Sequence, residues 1–307
     1  MTKILITGGA GFIGSHLAEL WLEKGAEVHI LDDLSSGSLE NLKHIPQVIF
    51  HEGSITNTKI VNEVCKGVDF IHHFAAMVSV AESMENPKKC VEANVNGLLN
   101  ILEAAKRNSV QKIVLSSSAA VYGDEPELPK TNRSKVNPKS PYGITKLDGE
   151  FYLQMFKESF GLDSVSLRYF NVYGERQNPQ SQYAAAIPIF IDKSVKNEPI
   201  TIYGDGKQTR DFIHVKDVAR ANFIAATTKT PQNFYNIASG RKIEILELVQ
   251  KIILLAKSQS RITFTDERKG EIKFSFASVK EVQKDLGFAT EIDLEIGLES
   301  LIQNFKG

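Results

Sequence analysis

Residues 4–16, Ile-Leu-Ile-Thr-Gly-Gly-Ala-Gly-Phe-Ile-Gly-Ser-His, constrain this chain more than any other stretch. An apolar run breaks into glycines and resumes as an amphipathic segment, the pattern of a strand, a tight turn and the start of a helix. Gly8, Gly11 and Gly14 permit a sharp turn and the close approach of a diphosphate. A helix amino terminus adds free N–H groups and the positive end of its dipole. The stretch predicts a dinucleotide site; the bland alternative is a glycine turn that serves packing only.

The following chain repeats the alternation. Phe12 to Lys24 has a helical apolar period ending at Gly25, and Val28 to Leu31 reads as a second strand that stops at Asp32-Asp33, 18 residues beyond Gly14. An acid there takes the adenosine ribose hydroxyls and repels a 2′-phosphate, so Asp32 favours NAD over NADP; the alternative is an aspartate capping its own loop. Further strands are expected at Val48–Phe50, from Phe70, at Ile113–Leu115 and at Val165–Phe170. One long helix is expected over Pro87–Arg107, and another from Tyr142 through Phe156 after a Pro138–Pro141 loop. Five rounds of strand and helix imply a Rossmann-type, doubly wound parallel α/β sheet with its ligand at the carboxyl ends of the strands. Beyond Asn171 the pattern loosens: Gly, Pro, Asn and Gln accumulate, Asp205–Arg210 reads as a polar turn, and helices are expected at Ile187–Val195, Val218–Ala226 and Ile243–Ala256. The expected division is a dinucleotide-binding domain over 1–172, to which a segment near 209–237 returns, and a smaller mixed α/β substrate lobe within 173–307.

Several functional classes are disfavoured. A net charge of −1 without a basic run lacks the footprint of a nucleic-acid binder. Cys65 and Cys90 are the only cysteines and form no C-x-x-C pair, which fits a reducing compartment and inert buried thiols. His72 and His73 invite a metal reading, but adjacent strand residues face opposite ways and no third ligand is spaced to join them, so no metal is expected. Residues 1–7 lack the pattern of a signal peptide and no apolar run reaches about 18 residues, so the expectation is a cytoplasmic protein without a membrane partner.

Tyr142 and Lys146, spaced i and i+4, share a helix face, where an ammonium near a phenol favours the phenolate needed for a base near neutral pH. Ser118, at the end of the Ser116-Ser117-Ser118 strand, can steady that proton. The bland alternative is an amphipathic helix with one surface lysine.

These motifs, with His73-Phe74-Ala75-Ala76, Asn94-Val95-Asn96-Gly97, Arg168-Tyr169-Phe170-Asn171 and Arg210-Asp211-Phe212-Ile213-His214-Val215, resemble the extended short-chain dehydrogenase/reductase superfamily and, within it, the nucleotide-sugar epimerases. The resemblance spans nearly the whole chain. It implies that Gly8, Gly11, Phe12, Ile13 and Gly14 hold the NAD diphosphate, Asp32 the ribose, and Ser54 and Ile55 the adenine end. Ser54 stands where many relatives have an aspartate. Phe74, Ala75, Ala76, Asn94, Ser116, Tyr142, Lys146 and Tyr169 would line the rest of the NAD channel. Ser118, Tyr142 and Lys146 would be catalytic, with Ser118 and Tyr142 also touching substrate. Asn171, Arg210 and Arg268 would hold the UDP portion, the arginines on its diphosphate.

Ala119-Ala120 after Ser118 differs from the acidic pair of sugar 4,6-dehydratases and the glutamate of sugar-acid decarboxylases. The resemblance therefore implies reversible C4 epimerisation of a UDP-hexose. Ser275 falls where a tyrosine restricts relatives to glucose and galactose, so acetamido sugars are expected to enter as well. The nearest competitor is a UDP-glucuronate epimerase, followed by a non-catalytic NAD-sensing regulator. A homodimer through helices near 95–107 and 145–158 is also implied; the Leu147, Phe151, Met155 stripe reads equally as ordinary core.

Overall fold

The computed structural model describes residues 1–177, 186–267 and 272–306. The chain runs β1 (Lys3–Thr7), α1 (Phe12–Glu23), β2 (Glu27–Asp32), β3 (Ile49–Glu52), α2 (Thr58–Val64), β4 (Phe70–His73), α3 (Val80–Glu85), α4 (Pro87–Val91), α5 (Gly97–Arg107), β5 (Lys112–Ser118), α6 (Pro141–Phe160) and β6 (Asp163–Tyr169). It continues through β7 (Asn171–Tyr173), α7 (Ala186–Val195), β8 (Ile200–Tyr203), β9 (Thr209–Arg210), β10 (Phe212–His214), α8 (Val215–Thr227) and β11 (Phe234–Ile237). The last elements are β12 (Ile243–Glu244), α9 (Ile245–Ala256), β13 (Ile262–Thr265), α10 (Lys280–Leu286) and α11 (Leu294–Lys306).

Seven strands form one parallel sheet in the order β11-β6-β5-β4-β1-β2-β3. Helices cover both faces, so Ile4, Leu5 and Ile6 are all inaccessible, and this two-sided burial explains their unbroken apolar run. The strand order reverses between β1 and β4, which opens a crevice at their carboxyl ends. Two buried apolar clusters flank the sheet. One contains Trp21, Ile30 and Tyr235; the other contains Leu5, Ile71, Leu102 and Phe156.

A third cluster, including Tyr173, Ile191, Leu248 and Leu298, holds the later segments. Their sheets have only two strands each: β7 with β10, β9 with β12, and β8 with β13. Between them the chain returns to the main sheet, where α8 packs on α1 and β11 pairs with β6.

Several details differ from the sequence expectation: the helix expected over Ile243–Ala256 begins at Ile245, after a two-residue strand, and the one expected from Val218 begins at Val215. The third strand begins at Ile49. The helix expected over Pro87–Arg107 contains a wide π turn at Glu92–Asn96, where Asn94 is turned inward onto protein partners. Helix α6 already starts at Pro141, with the Ser140 hydroxyl accepting from the Gly143 N–H. Thr209–Arg210 is a short strand rather than part of a turn, because the distant Ile243–Glu244 pairs with it.

Candidate active site

At the end of β1 the chain turns through Gly8, whose φ of +70° lies in the left-handed region. A Cβ on Gly8 would lie 2.7 Å from the Ala75 backbone nitrogen, and one on Gly14 would lie 2.5 Å from the Gly8 carbonyl oxygen. Only hydrogen fits at either place. Helix α1 follows with Gly11 as its cap, so no side chain occupies its first N–H groups, and no acid stands in its first turn. These are the conditions for an anion at a helix amino terminus.

Asp32 ends β2 beside this turn. Its carboxylate accepts from the Ala10 N–H at 3.0 Å and the Leu34 N–H at 2.9 Å, so it braces both loops. Burial pushes its pKa up. On the other side of the crevice, Phe74 and Ala75 both donate their N–H groups to the Thr7 carbonyl, and the Thr7 hydroxyl bonds His73 Nδ1 at 2.8 Å. His72 points the opposite way, accepting from Trp21 Nε1 at 2.9 Å. Both histidines are buried, and desolvation pushes each down to about 3. Each therefore serves as a neutral buried hydrogen-bonding group.

Ser54 spends its hydroxyl on Thr56 and its carbonyl on the Asn57 N–H, while Ile55 is buried against Gly97. Asn94 is buried and clamps Met77 through both its amide groups while donating to Thr145. It thus ties the loop after β4 to α6. Tyr169 stacks with Phe74 and donates its hydroxyl to Asn222, a partner that sequence reading missed.

The end of β5 meets the first turns of α6. Gly143 permits the contact, because a Cβ there would sit 2.9 Å from the Ala120 carbonyl oxygen. Lys146 Nζ donates to the Ser116 carbonyl at 2.8 Å and lies 5.7 Å from the Tyr142 ring centre. Burial pushes the lysine down to about 8, so it remains mainly charged at neutral pH. Desolvation pushes the Tyr142 hydroxyl up, and hydrogen bonding with Ser118 pulls it the other way. A phenol, a hydroxyl and an ammonium therefore converge where the crevice opens. The Tyr142 N–H is held by Ser83, and its carbonyl by the Thr145 hydroxyl.

Across the mouth, Asn171 is two residues beyond Tyr169, the strand partner of Ser118. Both Asn171 N–H donors reach the Asp211 carbonyl. Arg210 Nη1 donates to the Thr209 carbonyl at 2.9 Å, and Thr209 pairs with the 273–275 segment, including a bond from the Ser275 N–H. Asn171, Arg210 and half-buried Ser275 are thereby gathered; Arg268 lies outside the described residues. The organiser is Asp211, unrecognised as such from the sequence. Its buried carboxylate accepts from Ser239 N–H and Oγ, Gly240 N–H and Ala277 N–H, and burial pushes it up to about 6. A cleft of about 510 Å³ lies elsewhere, beside α6 and lined by Leu147, Glu150, Phe151, Arg168 and Phe234.

Comparison with known proteins adds to this geometry. The model of the NAD dependent epimerase/dehydratase family matches residues 4–238. A putative UDP-glucose 4-epimerase from Methanocaldococcus jannaschii is 38% identical, with 99% of this chain and 98% of that protein covered. The Thermotoga maritima UDP-glucose 4-epimerase, solved with UDP-glucose, superposes with a TM-score of 0.95 at 33% identity over 99% of both chains. A UDP-N-acetylglucosamine 4-epimerase from Methanobrevibacter ruminantium, solved with UDP-N-acetylmuramic acid, gives 0.94 at 37% identity, covering 99% of this chain and 98% of that one.

Proposed function

Because the chain belongs to the NAD-dependent epimerase/dehydratase family, we propose that it inverts C4 of UDP-hexoses, acting on both the glucose/galactose pair and the N-acetylglucosamine/N-acetylgalactosamine pair. The observation that carries this reading is the end of β5, where Tyr142, Ser118 and Lys146 converge and Ala119-Ala120 replace the acids that water elimination needs. The residues present fit NAD: the glycine turn leaves no room for a Cβ, the first turn of α1 is uncapped, and Asp32 stands at the adjacent strand end. Residues 1–172 with 209–237 would hold the cofactor, and the remainder the UDP-sugar.

Bound NAD+ supplies the acceptor, and then the donor, of the C4 hydride. Tyr142, as phenolate, takes the proton of the sugar 4-hydroxyl, and Ser118 steadies that proton by its hydrogen bond. In this reading Lys146 lowers the cost of the phenolate by its charge and would hold the nicotinamide ribose. Asn171, Arg210 and Arg268 hold the UDP portion while the 4-keto sugar turns about its diphosphate link. Tyr142 then returns the proton to the 4-oxygen on the opposite configuration.

Ser275 supports acceptance of the acetamido sugars, since a small half-buried side chain stands beside the Arg210 strand. Ser275→Tyr is expected to cut UDP-N-acetylglucosamine turnover by about tenfold or more while sparing UDP-galactose, a discrimination within reach of a filled pocket. Equal turnover of both sugars in the variant would remove Ser275 as the gate.

The same reading includes a homodimer. Leu147 packs against a small buried cluster, but Phe151 is 60% exposed and Met155 39% exposed on α6, with Ile144 and Val91 also exposed, so the outer part of this stripe does not belong to the core. Sedimentation of wild type and Phe151→Glu gives the test: a dimer for wild type and a monomer for the variant. No described helix is long and apolar enough to cross a membrane.

A further inference from the structure

The last three residues of β5 meet successive turns of α6. Ser118 ends the strand beside Tyr142, its hydroxyl accepting from the Ala120 N–H, the Ser116 carbonyl receives Lys146, and the Ser117 hydroxyl donates to Glu150 Oε1 at 2.5 Å. Residues 142, 146 and 150 are each one helical turn apart. Glu150 has no place in the proton transfer, yet it is buried and held from two strands at once. Arg168, the β6 register partner of Ser117, donates Nε to Glu150 Oε1 at 2.8 Å and Nη2 to Oε2 at 2.6 Å. The guanidinium is itself wedged against the Phe234 ring, with its carbon 3.6 Å from the ring centre and 4.9 Å from that of Tyr122. Such a bidentate, stacked arrangement fixes direction as well as distance.

We infer that Glu150, with Ser117 and Arg168, is a positioning residue for the reaction: it sets the rotation and depth of α6 against β5 and so holds Tyr142 beside Ser118. The other polar anchors on this face are Lys146 on the Ser116 carbonyl and Ser164 on the Leu153 carbonyl. Gly143 and Gly149 bring α6 close to β5, where a Cβ on Gly149 would lie 3.0 Å from Leu115, so the contact tolerates approach but does not itself select one rotation. The Glu150 carboxylate does select one, because both its oxygens are engaged by donors of fixed direction. A displacement of about 1 Å at a reacting group is enough to cost orders of magnitude in rate, so an anchor two turns away matters to Tyr142.

This inference rests on the catalytic role proposed for Tyr142, and the test separates the two. The protein loaded with NAD and labelled with ζ-¹³C-tyrosine is titrated by NMR, with Tyr142→Phe assigning the Tyr142 resonance, and kcat and KM are measured on UDP-galactose. Glu150→Asp keeps the charge but shortens its reach. It is expected to raise the ionisation midpoint of Tyr142 by about half a pH unit or more as the Ser118 bond loosens, and to lower kcat about tenfold or more with KM within about twofold. Ser117→Ala, which leaves the ion pair intact, is expected to give smaller changes of the same sign, and it decides the matter if Glu150→Asp does not fold. Wild-type Tyr142 ionisation and kcat in the folded variants, with only the melting temperature lowered, would overturn the inference. If wild-type protein turned over no UDP-sugar, the proposed function would fall while the Tyr142 titration still decided the positioning role.

Discussion

The two sides of the crevice are built on different principles. On the nucleotide side, neighbouring strands of four to seven residues hold one parallel register, the glycine turn admits no Cβ, and Thr7 is stitched to His73 across the switch point. On the sugar side, strands of two to four residues pair only with one another, and Asp211 holds the loops that carry Asn171, Arg210 and Ser275. The first arrangement leaves the cofactor and Tyr142 little freedom; the second can change its loops without disturbing the sheet. On the proposed reading, reaction type is separated from choice of sugar, and substitutions on the two sides should fail in different ways.

The largest difference is expected from Tyr142→Phe. Loss of the base should lower kcat by about 10²- to 10⁴-fold, while the melting temperature and the amount of co-purified NAD stay near wild type. Unchanged turnover would break the assignment of chemistry to this side. Arg210→Ala should act mainly on binding, raising KM for UDP-sugar by about tenfold to a hundredfold, as for loss of a charged hydrogen bond, with kcat changed only a few-fold. A fall in kcat with constant KM would instead give Arg210 a part in the reaction step.

A smaller effect should appear in the pH dependence of stability, where the sign follows the residue type and not the side: burial also raises Asp32 on the nucleotide side and lowers His214 on the sugar side. The nucleotide side buries His16, His72 and His73, with burial as the main cause of shifts down to about 4, 3 and 3. Below their unfolded value of about 6.5 the unfolded chain binds protons that the native chain refuses, so each histidine costs stability as pH falls through that window. Asp211 on the sugar side has the opposite sign. Its carboxyl, raised to about 6, binds a proton in the native state before the unfolded chain does, so it adds stability as pH falls from about 6 toward 4. Urea unfolding between pH 5 and 6 should show His72→Gln flattening the acid loss by up to about 1.4 kcal/mol per pH unit. An identical slope in wild type and variant would show that His72 does not resist protonation.

The same contrast explains what was legible in the sequence. The main sheet could be read because burial on both faces leaves continuous apolar runs such as Ile4–Ile6, and because a Gly-rich turn and a Tyr-x-x-x-Lys helix are local patterns. The expected seat of reaction, at the carboxyl ends of the strands, is where Ser118, Tyr142 and Lys146 meet. Features that depend on distant partners were not legible. The strand at Thr209–Arg210 exists because Ile243–Glu244 folds back on it and the 273–275 segment pairs with Thr209, and Asp211 organises Ser239 and Ala277, which lie 28 and 66 residues away. Glu150 carries one local signal, its position one turn beyond Lys146, but its partner Arg168 lies 18 residues away on β6. The π turn around Asn94 was hidden because the apolar positions keep a helical spacing through it.

The central claim is that bound NAD is restored in each cycle and that the sugar keeps its own C4 hydrogen. Purified protein supplied with UDP-[4-²H]glucose and no added cofactor tests both parts at once. The account predicts UDP-galactose that retains deuterium at C4, formed at a rate that added NAD does not raise. Deuterium lost to water, or turnover that stops without added NAD, would contradict it.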